Sequence, residues 1–218
     1  MTVIDSRRQT AVLPWLLREA AIATWRELPT AMGASAIWLA SIVPLALAAV
    51  IGWWWLIAIT SLPVALATTG VAQVAASIVR GERPRVRTVF RVDPVLALSW
   101  SAAGTGAALL IASDLRIVGF ILGAVALVVA PFALGYGAMR RRRGLIAWRG
   151  GAILVAYRPS WSLTLLSIML LSGFAVVATA GTLGLVFPVA FGAAATAVVG
   201  HLLDTIDESA PSSQEKPR

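Results

Sequence analysis

The stretch IVGFILGAVALVVAPFALGYGAM (Ile117–Met139), followed at once by Arg140–Arg141–Arg142–Arg143, decides the fold. It runs without an Asp, Glu, Lys or Arg until it meets four arginines in a row. About 20 residues of helix, at ~1.5 Å each, cross a hydrocarbon core about 30 Å thick. Backbone polar groups cannot be left unpaired in lipid, so a crossing segment is either a helix or a strand of a closed barrel. Barrel strands alternate over about ten residues. This run is long and continuously apolar, which selects the helix.

Five further windows have the same character: Thr30–Ile51, Leu56–Ile78, Val95–Ser113, Pro159–Ala180 and Thr182–Leu203. Across the 218 residues, 59% are hydrophobic and only 13% charged, against about 25% charged in soluble domains. The mean hydropathy is +0.85. The fold class expected is therefore all-α, a polytopic membrane protein of six transmembrane helices.

Arginine placement orients these spans, because cytoplasmic loops carry the excess of Lys and Arg. The basic residues fall in four blocks: Arg7 to Arg26, Arg80 to Arg91, Arg140 to Arg158, and Lys216 with Arg218. Only Arg116 falls on the opposite side. Both termini are expected in the cytoplasm of a bacterium, with the chain in its plasma membrane. The net charge of +8 then reflects topology, and no nucleic acid is implied. Arg7 and Arg8 look superficially like an export signal, but Arg18 and Glu19 interrupt any apolar core after them.

The outer connections are short. Spans one and two meet at Gly52 and Trp53–Trp54–Trp55, which suits an interfacial aromatic belt; three and four turn at Ser113–Arg116; five and six join through Gly181. Such turns predict three helical hairpins and no outer domain. Pro29, Pro94 and Pro159 stand 65 residues apart, each opening a span after a basic segment. Proline is tolerated there because the first-turn N–H has no helical partner. Pro63, Pro131 and Pro188 recur in the return helices in the pattern Pro–apolar–Ala–bulky apolar. The reading is three parallel repeats, about 11–79, 86–139 and 146–203, each with a mid-span proline in the return helix; coincidence in an apolar sequence is the alternative. Residues 1–29 form a cytoplasmic tail with an interfacial helix from Val12, with Leu17, Ala21, Thr24 and Leu28 on its apolar face. Residues 30–203 form the membrane domain, and 204–218 a disordered cytoplasmic tail. Gly150 and Gly151 are expected to weaken any helix between Gly144 and Tyr157.

Candidate chemistry is sparse. The chain has no cysteine, which excludes disulfides and thiolate metal sites. His201 and Asp204 share a helix face, but a polar cap near a helix end is the expected role rather than a metal site. The Ser and Thr residues of the spans, with Gly70, Gly104 and Gly106, mark close helix packing, and Gln73 suits an interhelical hydrogen bond. No catalytic residue, metal site or cofactor is expected. Arg140, Arg141, Arg142 and Arg143 form the densest basic block. Its readings are attraction to anionic lipid, about 1 kcal/mol per basic residue, and docking of a cytoplasmic partner.

Ser61–Leu62–Pro63–Val64–Ala65–Leu66–Ala67–Thr68–Thr69–Gly70–Val71–Ala72, then Arg80–Gly81–Glu82, and later Tyr157–Arg158–Pro159–Ser160–Trp161 resemble the YesL family of small bacterial membrane proteins of unknown function. The resemblance covers about residues 10 to 205. It implies an accessory membrane component associated with a carbohydrate ABC transporter, whose permease would be the partner, and it brings no catalytic residues. The expected function is thus a non-enzymatic accessory or regulatory component of a transport system. The alternative is an autonomous facilitator or channel lined by Ser, Thr and Gly.

Overall fold

The computed structural model describes the backbone of residues 3–179 and 181–209, and the side chains of residues 12–179 and 181–208. The side chains of Arg7 and Arg8, and the tail 210–218 with Lys216 and Arg218, lie outside the described residues. Eight α-helices account for most of the rest: α1 (Val3–Arg26), α2 (Leu28–Ile51), α3 (Trp54–Val79), α4 (Pro94–Ala112), α5 (Arg116–Arg140), α6 (Leu145–Tyr157), α7 (Pro159–Ala178) and α8 (Phe187–Ser209). Two 3-10 segments, Val86–Phe90 and Thr182–Leu185, complete the order, and there is no strand among the described residues. Six of the helices, α2, α3, α4, α5, α7 and α8, are long and apolar enough to cross a membrane.

Five spans agree with the sequence windows to within a few residues. The sixth does not. Thr182–Leu185 forms a 3-10 turn after Gly181, whose φ of +86° lies in the left-handed region, and α8 starts only at Phe187. Pro188 therefore sits in the first turn of α8, unlike the mid-helix Pro63 of α3 and Pro131 of α5. The opening prolines behave alike: Pro29, Pro94 and Pro159 all occupy the first turn of their helices. At the other end α8 runs on to Ser209, so residues 204–209 are helical rather than a disordered tail. Ile206 packs on the core there, and Asp207 pairs with Arg140 of α5.

Small residues set the packing. Lipid offers no hydrophobic drive for helices to associate, so close approach and interhelical hydrogen bonds decide which faces meet. A Cβ on Gly119 of α5 would lie 2.6 Å from the Ile111 backbone nitrogen of α4. Gly104 and Gly106, by contrast, face open space and do not pack. Hydroxyl pairs add Ser61 to Ser101 at 2.5 Å and Thr105 at 3.3 Å. The Trp38 indole donates to Thr68 at 2.9 Å and that of Trp148 to Ser99 at 2.7 Å.

Two short-range expectations change. α6 is one continuous helix, and its buried face is Ala147, Gly150, Gly151 and Leu154. A Cβ at Gly151 would come within 2.5 Å of the Ala133 nitrogen, and one at Gly150 within 2.5 Å of the Tyr136 ring. These glycines cost helix propensity, about 1 kcal/mol each, but they let α6 lie directly on α5. On α1 the buried face is Leu16, Ala20 and Thr24, whereas Ala21 is exposed. Leu16 joins the cluster around Phe132, Val198 and Leu202, and Ala20 meets Ala75 of α3 and Ala193 of α8. The face is rotated because α1 packs on helices, so its small residues turn inward. Trp15 and Trp25 remain outside.

Candidate functional site: an arginine-lined crevice

The chain between α3 and α4 folds back along α3 instead of looping away from it. Val86–Phe90 lies on α3 at Gly70, where any Cβ would collide with the Val89 carbonyl. Beyond it the Asp93 backbone N–H donates to the Thr69 hydroxyl at 3.3 Å. Thr69 is eleven residues before Arg80 on or just past α3, so this segment reaches roughly 16 Å down the helix at ~1.5 Å per residue.

Asp93 anchors the floor. Its Oδ1 accepts from the N–H groups of Val95 and Leu96, both at 3.1 Å, which caps α4. Its Oδ2 accepts from Gly144 N–H at 2.8 Å, which ties the α5–α6 turn to the start of α4. Gly144 has φ of +60°, and a Cβ there would stand 2.7 Å from a Val95 methyl, so both backbone and space call for glycine. Asp93 is the one buried charged side chain among the described residues, and three backbone donors occupy its oxygens. An Asp placed directly before a span-opening proline is an N-cap signature, and that signal was legible in the sequence.

Above this floor lies a crevice of about 460 Å³. Thr69, Ala72, Gln73 and Arg80 form one wall, Phe90–Asp93 another, and Leu134, Gly137 and Ala138 of α5 a third. Arg141, Arg142 and Arg143 close its rim. Five arginines and two acidic residues, Glu82 and Asp93, thus line it. Arg80 is engaged, with Glu82 at 2.9 Å and the Ala138 carbonyl at 3.2 Å. That hydrogen bond holds the Glu82 carboxyl below its ordinary pKa, with the charges of Arg80, Arg141 and Arg91 adding to it. Arg91, Arg141, Arg142 and Arg143 have no ion pair among the described residues.

The four-arginine block is therefore divided. Arg140 pairs with Asp207 and fastens α5 to α8, while its three successors face the crevice. Arg141, at φ +51°, turns the chain out of α5. Gln73 makes no interhelical hydrogen bond among the described residues and lines the crevice instead. His201 sits inside α8, not at its end, and stacks on Trp161 of α7 with ring centroids 5.8 Å apart. Asp204 is exposed, and no metal-binding cluster occurs among the described residues. The Arg158 guanidinium lies 5.9 Å from the Trp161 ring.

A second cavity, about 340 Å³, lies within the bundle. Trp38, Trp100, Leu127, Pro131, Met169, Phe187 and Phe191 are among its lining residues, and its hydroxyls are those of Thr68 and Thr196. Both hydroxyls donate to carbonyls of their own helices, Val64 and Gly192. Neither threonine hydroxyl is left with its proton free for a solute. It shares Ala72 and Leu134 with the crevice. A third hollow, about 770 Å³, lies beside the contact of α1 with α8 and the end of α3, with Arg18, Glu19, Arg26, His201 and Asp204 around it.

No family model, no curated protein and no solved structure matches this chain.

Proposed function

We propose that this chain is a non-enzymatic protein of the bacterial plasma membrane that binds an anionic group in the arginine-lined crevice. Its six spans run as three hairpin units with both termini in the cytoplasm, and the crevice opens on that side. The observation that carries the reading is the convergence of Arg80, Arg91, Arg141, Arg142 and Arg143 on one cavity. Guanidinium groups present planar forks of donors that match phosphate and carboxylate oxygens. Four of these five lack an acidic partner among the described residues. The orientation rests on seventeen of the eighteen basic residues falling on one side of the spans.

A catalytic role has less support, because the buried carboxylate of Asp93 is spent on three backbone N–H groups. An autonomous solute pathway has less support too, since the chamber's lining is mostly apolar and both of its hydroxyls donate to their own helices. The physiological role proposed is that of an accessory component of a transport system, with carbohydrate ABC import as the setting that the YesL resemblance implies. Anionic lipids at the cytoplasmic face and a transporter permease are the proposed partners.

Anion binding is tested by thermal unfolding of the protein in phosphatidylcholine nanodiscs with inorganic pyrophosphate added. A ligand at 100 times its Kd stabilises the folded state by about 2.7 kcal/mol. The wild type should gain stability, and the variant carrying Arg141→Gln, Arg142→Gln and Arg143→Gln should not. Equal responses of the two would contradict the site. The accessory role is tested by mild-detergent co-purification: a stoichiometric permease supports it, and recovery of this chain alone counts against it.

A further inference from the structure

The crevice and the chamber are neighbours that share Ala72 and Leu134 in their linings, and their chemistry differs in a way that specifies a ligand. Five arginines line the crevice, and Ala72 and Leu134 stand in its walls. Those same two side chains line the chamber, a space walled by Trp38, Trp100, Pro131, Met169 and Phe191 among others. Water does not suit that space, since a buried water needs two to four polar partners. The two hydroxyls present already donate to helix carbonyls. The lining is almost wholly apolar, so dispersion contacts are what it offers a ligand. A hydrocarbon chain makes those contacts and asks for no hydrogen bond.

We propose that the joined crevice and chamber bind a phosphate-bearing lipid, with the phosphate among Arg91, Arg141, Arg142 and Arg143 and one hydrocarbon chain passing Ala72 and Leu134 into the chamber. The proposal rests on the anion-binding reading of the crevice and adds the apolar half of the ligand. Basic cavities between membrane helices on the cytoplasmic side are suited to phosphorylated headgroups. Lipid bound at an outer helix face would meet only apolar side chains there, such as Leu171 and Phe174 of α7. Here the same molecule satisfies charge at one end and packing at the other. Five guanidinium groups against two carboxyl groups select an anionic head over a zwitterionic one.

The probe is phosphatidic acid with a photoreactive diazirine at the end of one acyl chain, in phosphatidylcholine nanodiscs. After irradiation the labelled peptides are mapped by mass spectrometry. Adducts are expected on chamber residues such as Met169 and Phe191. Unlabelled phosphatidic acid should compete with them and extra phosphatidylcholine should not. The variant with Arg141→Gln, Arg142→Gln and Arg143→Gln, all exposed residues, should reduce chamber labelling about tenfold. Leu127→Trp fills the chamber from a half-buried position that does not line the crevice and should abolish chamber labelling while pyrophosphate still stabilises the protein. Adducts confined to outward faces such as Leu171 and Phe174, with pyrophosphate still stabilising the wild type, would overturn the lipid proposal and leave the anion site standing. If neither phosphatidic acid nor pyrophosphate is bound, both readings fall together.

Discussion

The last two spans differ in a way that hydropathy does not foretell. The most apolar window of α7 has mean hydropathy 2.0 and is 17% buried, whereas that of α8 has 1.5 and is 56% buried. The less apolar helix is the central one. α7 buries only Trp161, Ser162 and Leu165, all within its first two turns, and shows Leu163, Leu170, Leu171, Phe174 and Val177 outward. α8 buries Ala193, Ala194, Ala195, Thr196, Val198 and Val199 and packs on α1, α3 and α5. In a bilayer apolarity reports the solvent, and small residues report the neighbours.

Substitutions can break that contrast in graded steps. The largest effect is expected at Gly70, where α3 meets the Val89 carbonyl. Gly70→Ala should displace the 86–93 segment and cost about 3 kcal/mol or more, the upper range for an overpacked core. A lowered thermal midpoint together with loss of pyrophosphate stabilisation would report it. Asp93→Ala comes next. It removes the α4 cap and strands the Gly144 N–H, with an expected cost of about 2 kcal/mol. That loss should appear in denaturation without change in the other spans. At the small end, Leu171→Ala or Phe174→Ala on α7 should change stability by no more than about 0.5 kcal/mol. A large loss at either position would mean that α7 is covered by protein and not by lipid.

The pair of Arg80 and Glu82 sharpens the contrast from the polar end. Glu82 is held below its ordinary pKa first by its hydrogen bond to Arg80. A carboxyl with a depressed folded-state pKa contributes stability above its unfolded pKa, and that contribution is lost as pH falls through the folded value. The Glu82 side chain is about half exposed, so the contribution is small. Glu82→Gln should therefore leave stability at neutral pH nearly unchanged and flatten only the acid limb of its pH profile.

Five spans were legible because the cost of unpaired backbone in lipid forces long uninterrupted helices, and charges mark where each one stops. The sixth was misplaced by five residues at its start, since Thr182–Leu185 is as apolar as the helix that follows. Gly150 and Gly151 read only as weakening the helix, because a single sequence does not reveal which neighbour will press against them. The fourfold arginine block announced a basic face, but not that Arg140 would turn to Asp207 while the next three close a cavity. The crevice itself was hidden for a simpler reason. Its walls come from residues as far apart as Thr69 and Arg143, and only the folding back of the 86–93 segment brings them together.

The most direct test of the account is to grow crystals of the protein in a lipidic mesophase, soak them with tungstate, and collect data at the tungsten absorption edge. The tetrahedral dianion mimics phosphate and is located by its anomalous scattering. The account predicts a peak among Arg91, Arg141, Arg142 and Arg143, above the floor formed by Asp93. Tungstate found only at scattered surface arginines, with that crevice empty, would contradict it.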